Sequence, residues 1–126
     1  MASAQKASNL TIFIDYNKWQ ATGRSDEILG LAPLAAKWSA FGWCVREIDG
    51  HDFGSIHRAL QEIEHDERPK VIVANTVKGK GVSFMEDDNN WHYRIPKREE
   101  VLAAAAELKI HADELRMDGV APRSHE

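Results

Sequence analysis

Asn9-Leu-Thr-Ile-Phe-Ile-Asp-Tyr-Asn-Lys-Trp-Gln20 is the stretch that decides how this chain folds. Its first half, over residues 10–14, is a short apolar run, which predicts a buried strand. The run then changes abruptly into oxygen-bearing side chains at Asp15, Asn17 and Gln20. Because parallel α/β sheets bind ligands at the carboxyl ends of their strands, this boundary predicts a binding edge.

The rest of the chain alternates apolar runs with segments of helical period. These patterns predict strands over residues 10–14, 43–48 and 69–74, and helices over residues 33–41, 53–64 and 97–108. Residues 1–8 are Ala-rich and lead directly into the first strand, so they are predicted to be the last turns of a helix. The alternation predicts a parallel α/β sheet with flanking helices. Since three strands are few for such a sheet, we expect an incomplete three-layer α/β domain.

Composition excludes several classes of protein. At 126 residues, with 43% apolar and 29% charged residues, the chain is the size of one globular domain. A net charge of −4 argues against a general binder of nucleic acid or anionic membranes. Cys44 is the only cysteine, so no intrachain disulfide is possible. The chain has neither the ~20-residue apolar run of a membrane span nor a secretory signal, so we expect a soluble cytoplasmic protein.

Two segments resemble the transketolase family. Asp15-Tyr-Asn-Lys-Trp-Gln20 is similar to the closing half of the family's thiamine diphosphate motif. Residues 76–92, which contain Lys78-Gly-Lys-Gly81 and end at His92, resemble the family loop that carries a histidine over the diphosphate and the donor sugar. The motif's opening Gly-Asp-Gly has no counterpart in this sequence. The resemblance therefore implies a partial thiamine diphosphate-binding domain over residues 1–109, followed by a tail over residues 110–126.

The resemblance also implies a set of site residues. The Asn17 side-chain oxygen and the Trp19 backbone carbonyl are expected to bind Mg²⁺ and the cofactor. Lys80 is expected to bind the cofactor, and His92 to act in both cofactor binding and catalysis. Mg²⁺ takes about six hard oxygens and normally includes one or two carboxylates, so Asn17 and Trp19 do not suffice alone. Tyr93 follows His92 where the family has glycine.

Two of these residues, and several other polar residues of the two segments and of the turn at residue 50, also have an ordinary structural interpretation. Asn17 is of a type that favours turns, and Lys80 is equally well explained as a solvated loop charge. Asp15 and Gln20 are more typical of turn or supporting hydrogen bonds than of direct ligands. His51, in the Asp49-Gly50-His51 turn sequence, is more typical of a turn or helix-entry residue than of a catalyst.

Three functional hypotheses follow. The first is part of a transketolase, which uses thiamine diphosphate and Mg²⁺ to move two-carbon ketol units between sugar phosphates in pentose phosphate metabolism. A second chain would then carry the pyrimidine-binding domain and the catalytic Glu, giving an oligomer, and the isolated chain would be inactive. The second is another thiamine diphosphate enzyme, such as a deoxyxylulose phosphate synthase or a ketoacid dehydrogenase subunit. The third is a non-catalytic, truncated α/β module.

Overall fold

A three-stranded parallel sheet dominates the first part of the computed structural model, which describes residues 1–111. The chain divides into two compact units, Met1–Val77 and Lys78–Glu126. Most of the predicted tail over residues 110–126 lies outside the described residues. The elements, in chain order, are β1 (Thr11–Tyr16), β2 (Trp19–Gln20), β3 (Gly23–Arg24), α1 (Ser25–Ile28), α2 (Leu34–Ala40), β4 (Cys44–Asp49), α3 (Phe53–Ile63), β5 (Lys70–Asn75) and α4 (Arg98–Glu107).

The sheet has the order β1, β5, β4, with every pair parallel, which confirms the predicted α/β class. The first crossover, which contains α2, leads from β1 past the position of β5 to β4. The second crossover, which contains α3, leads from β4 back to the central strand β5. Because such crossovers are right-handed and these two run in opposite directions, α2 and α3 lie on opposite faces. The register aligns Tyr16 with Asn75 and Asn75 with Asp49, so the three strands end level with one another.

The core is built on β5, the central strand. Val71, Ile72 and Val73 are completely buried, because strands flank them on both sides and both faces of the sheet are covered. On one face, Ile72 packs with Cys44 of β4 and with the buried stripe of α3. The predicted strands and long helices are therefore confirmed, with boundaries that shift by at most two residues.

The prediction that residues 1–8 end a helix is wrong. Backbone hydrogen bonds there change spacing at each step: Gln5 N–H donates to Met1 O, but Lys6 N–H donates to Ser3 O. Lys6 has a φ of 49°, in the left-handed region, where a right-handed helix cannot continue. The Ser3 hydroxyl instead donates to Gly42 O at 3.2 Å and ties this turn to the segment before β4.

Two further features complete the described chain. Strands β2 and β3 form a small antiparallel hairpin that the sequence analysis did not predict. In the second unit, a 3₁₀ helix over Asn89–His92 forms the end of the segment 76–92 that resembles the family loop, and the Asp88 carboxylate caps it by accepting from Asn90 N–H at 2.9 Å. Across residues 1–111, no helix is long and apolar enough to cross a membrane.

Candidate functional site

Polar side chains converge at the carboxyl edge of the sheet, with Asn75 in the middle. Asn75 ends the central strand, and its Oδ1 accepts a hydrogen bond from Lys18 Nζ at 2.5 Å. Its Nδ2 donates to Glu47 Oε1 on β4 at 3.0 Å. One amide side chain thus links the ends of all three strands.

The predicted ligands Asn17 and Trp19 lie together in a sharp turn that leaves β1. Asn17 Oδ1 accepts from Trp19 N–H at 2.9 Å, which is the bond that defines an Asx turn. Lys18 between them has a φ of 68°, so it is the lysine and not the asparagine that adopts the left-handed conformation. An amide oxygen has two lone pairs, and this bond occupies one of them. The turn therefore holds Oδ1 in a fixed orientation and leaves it capacity for another partner.

Lys18 is the residue of this site that the sequence analysis missed. Its Nζ lies 3.2 Å from the centroid of the Tyr16 ring, in a cation–π contact. Desolvation lowers the pKa of Lys18, and the carboxylates of Glu47 and Asp26 act in the opposite direction. The ammonium is thus held against the protein by Asn75 and Tyr16. The sequence did contain one signal for this contact. Asn75 directly follows the predicted apolar strand over residues 69–74, so a polar partner for a lysine could have been expected at that strand end.

Tyr16 packs against the same turn. Its hydroxyl donates to Asp26 Oδ1 at 3.3 Å, and its ring is buried. Burial and then the Asp26 carboxylate raise the pKa of the Tyr16 phenol. Tyr16 therefore stays neutral and presents its ring face to Lys18.

Asp15 makes its hydrogen bond to the chain that leaves β5. Its Oδ1 accepts a hydrogen bond from the Thr76 hydroxyl, which ties β1 to the chain that leaves β5. This agrees with the interpretation of Asp15 as a supporting residue. Within residues 1–111, no group of three or more His, Cys, Asp or Glu side chains is placed to hold a metal ion. The oxygens that the two predicted ligands themselves offer, the Asn17 amide and the Trp19 carbonyl, are neutral.

Lys80 and His92 lie in the second unit. Gly79 and Gly81, on either side of Lys80, have φ values of 73° and 97°. The Glu86 carboxylate accepts from Gly81 N–H at 3.0 Å and lies 3.5 Å from Lys80 Nζ, so the loop closes on an internal carboxylate. His92 ends the 3₁₀ helix as an exposed residue, and its ring packs edge-on against Tyr93, with centroids 4.6 Å apart. Their roles as ligands remain predictions.

The fold and the polar edge together define a parallel α/β domain that presents a polar turn at the carboxyl end of its first strand, which is the edge where such sheets bind ligands. Residues 1–117 match the family model described as "Transketolase, thiamine diphosphate binding domain", and the chain belongs to this family. The resemblance drawn from the two sequence motifs is therefore confirmed.

Similar proteins include individual subunits of transketolases. The chain is 44% identical over 108 residues to one subunit of the apulose-4-phosphate transketolase of Actinobacillus succinogenes, covering 86% of this chain and 39% of that protein. It is 41% identical over 109 residues to the 6-deoxy-6-sulfo-D-fructose transketolase subunit SqwG of a Clostridium species, covering 86% and 40%. Human transketolase is 34% identical over 104 residues, covering 76% and 15%.

The chain thus spans about two fifths of the length of these subunit relatives. Among solved structures, the transketolase of Campylobacter jejuni superimposes with a TM-score of 0.79 at 24% identity, covering 86% of this chain and 17% of that one. At this identity the superposition shows a shared fold. The relatives favour the transketolase hypothesis over the other thiamine diphosphate enzymes.

Proposed function

We propose that this chain forms the diphosphate side of a thiamine diphosphate site in a transketolase assembled from separate subunits. The observation that carries the proposal is the Asn17–Lys18–Trp19 turn, held at the carboxyl end of β1 in a chain of the transketolase family. In this proposal residues 1–109 are the partial cofactor-binding domain and residues 110–126 are a tail. The reaction is transfer of a two-carbon ketol unit between sugar phosphates.

The residues of the turn fit a divalent cation held together with a diphosphate. Asn17 Oδ1 retains a lone pair, and the Trp19 carbonyl is a second neutral oxygen, so both are acceptable ligands for Mg²⁺. A carboxylate ligand, which Mg²⁺ normally takes, would have to come from another segment. Thiamine diphosphate, when bound, supplies the nucleophile and the electron sink for ketol transfer.

The second unit would supply cationic and hydrogen-bonding groups. Lys80 would bind the diphosphate as a point charge, once its ammonium exchanges Glu86 for a phosphate oxygen. The His92 imidazole would donate a hydrogen bond to the diphosphate and to substrate oxygens. Lys80 would thus bind the cofactor, and His92 would bind the cofactor and orient the substrate for catalysis.

The relatives indicate what else the enzyme needs. Two are named as subunits, which supports a partner chain that carries the pyrimidine-binding domain and the catalytic Glu, in an oligomer. The names of these relatives specify a sugar phosphate and a sulfonated sugar. We therefore propose a substrate sugar with an anionic end group. We also propose, from the resemblance in sequence alone, a cytoplasmic enzyme of carbohydrate metabolism that acts on sugars of the pentose phosphate type.

Thiamine diphosphate with Mg²⁺ is expected to bind the purified chain saturably, and Asn17→Ala and His92→Ala are expected to weaken binding at least about tenfold. Each substitution removes a hydrogen-bonding or metal-binding group from a charged ligand, an interaction typically worth about 1.5–3 kcal/mol. Isothermal titration calorimetry with and without Mg²⁺ measures the effect. Asn9→Ala, two residues before β1, and His57→Ala, at an exposed position of α3, are matched controls. Equal affinity in all five proteins would contradict the assignment.

The isolated chain is expected to show no ketol transfer. The catalytic Glu that activates the cofactor belongs, in this proposal, to a different chain, and position and binding alone do not replace it. The measurement is a coupled assay with xylulose 5-phosphate, ribose 5-phosphate, thiamine diphosphate and Mg²⁺. Turnover by the purified chain that disappears in His92→Ala would show that the expectation is wrong.

A further inference from the structure

His51 lies in the turn between β4 and α3, at the same edge of the sheet as the Asn17 turn. Its backbone N–H donates to Asp49 Oδ1 at 2.9 Å, which fixes the turn itself. Its imidazole extends to the chain that leaves β5, where Nε2 accepts from Val77 N–H at 2.8 Å. The turn residue expected from the sequence therefore makes a second, long-range bond through its ring.

This bond satisfies a backbone donor just beyond the end of the sheet. Thr76 N–H still reaches Tyr16 O, at a long 3.4 Å, and Val77 N–H turns to His51. A neutral imidazole that accepts at Nε2 carries its proton on Nδ1, so both the ring position and the tautomer are specified. His51 Nε2 thus accepts the hydrogen bond that a backbone carbonyl of a neighbouring strand would accept if the sheet continued.

Gly50 allows the two segments to approach this closely. Its N–H donates to Asn75 O at 2.8 Å. A Cβ added there would lie 2.5 Å from Thr76 Cγ2 and 3.2 Å from Asn75 O. A side chain at residue 50 would push residues 75–77 away, and the His51 ring would no longer reach Val77.

Residues 75–77 in turn hold the end of β1. Asn75 Oδ1 binds Lys18 Nζ at 2.5 Å, and the Thr76 hydroxyl binds Asp15. Lys18 is the left-handed residue in the middle of the Asn17 turn. A shift of residues 75–77 would therefore release both tethers of that turn.

We propose that His51 is a positioning residue for the cofactor-binding turn. Through Nε2 it fixes residues 75–77, and through Asn75 and Thr76 it keeps the Asn17–Lys18–Trp19 turn in one conformation. The structural part of this inference stands on the contacts alone. The part that concerns the ligand rests on the proposed function.

The test compares three substitutions of His51 in the full chain. His51→Gln places an amide oxygen near the position of Nε2, whereas His51→Asn places one near Nδ1 and His51→Ala provides neither. We expect amide exchange of Val77 to be about tenfold faster in the Asn and Ala variants, as for loss of one hydrogen bond, and near the wild-type rate in the Gln variant. His57→Asn, on the surface of α3, is the matched control.

A second signal reports whether the change reaches the turn. Lys18 Nζ lies over the Tyr16 ring, so the methylene protons next to it are expected to resonate upfield in proton NMR spectra. We expect this upfield shift to decrease in His51→Asn and His51→Ala and to be retained in His51→Gln. Unchanged Val77 exchange in the Asn variant, or faster exchange with an unchanged Lys18 signal, would overturn the inference.

Calorimetric titration with thiamine diphosphate and Mg²⁺ separates this inference from the proposed function. If the wild-type chain binds, His51→Asn is expected to lose about tenfold in affinity, and His51→Gln is expected to recover most of it. Equal affinity of the wild-type chain and the Asn variant would refute the ligand part. If the wild-type chain does not bind, the proposed function of this chain fails, and the Val77 and Lys18 signals still decide whether His51 positions the turn.

Discussion

Replacement of Ile72 by alanine is expected to lower the free energy of unfolding by about 2–5 kcal/mol. Ile72 is completely buried at the centre of the sheet and packs with Cys44, Ala59 and Ile63. The shortened side chain loses its transfer free energy and leaves a cavity, because strands on both sides prevent the site from collapsing. Urea unfolding followed by circular dichroism, at one protein concentration, measures the change.

Phe13→Ala is the matched control for Ile72→Ala. Phe13 is the register partner of Ile72 on β1 and lies on the same face of the sheet, yet 49% of it is exposed. Since half of the residue already contacts water, loss of its ring is expected to cost only roughly 1 kcal/mol. A cost equal to that of Ile72→Ala would mean that Phe13 is covered in solution, and its dependence on protein concentration would show whether a second copy covers it.

Gly79→Ala is expected to disrupt the loop that carries Lys80. Gly79 has a φ of 73°, a conformation that raises the free energy of an L residue by about 1–2 kcal/mol. An added Cβ would also lie 2.5 Å from the Met85 carbonyl oxygen and 2.7 Å from its carbon, both backbone atoms. The loop must therefore open, which breaks the bond from Val82 N–H to Gly79 O. We expect faster hydrogen exchange at Val82 and Met85, and weaker binding of thiamine diphosphate.

Gly30→Ala separates backbone strain from collision. Gly30 also has a positive φ, of 52°, but an added Cβ would meet nothing within 4 Å. It should therefore show only the strain cost of about 1–2 kcal/mol in urea unfolding, with no change in exchange at Val82. If amide exchange at Val82 were equally slow in Gly79→Ala and in Gly30→Ala, the close approach of Gly79 to Met85 would not exist in solution.

Local pattern was sufficient for the sheet and the main helices. Residues 69–74 are predicted as a strand because a continuous β-branched run has few alternatives, and residues 53–64 as a helix because their apolar residues recur at helical spacing. The prediction for residues 1–8 is wrong, since alanine content favours a helix but does not fix where its hydrogen bonds stop. Lys6 in the left-handed region and the Ser3 contact with Gly42 override that preference.

The sequence by itself determined the α/β class, the family and the placement of Asn17 and Trp19 at a strand end, because all of these depend on short-range order along the chain. Only the tertiary structure decided which side chains from other segments contact and hold that strand end. Lys18 binds Asn75 across 57 residues of chain, and His51 binds Val77 across 26. Parallel strands bring such distant residues level only through their crossovers, and hydrogen bonds across that distance leave no periodic pattern in the sequence.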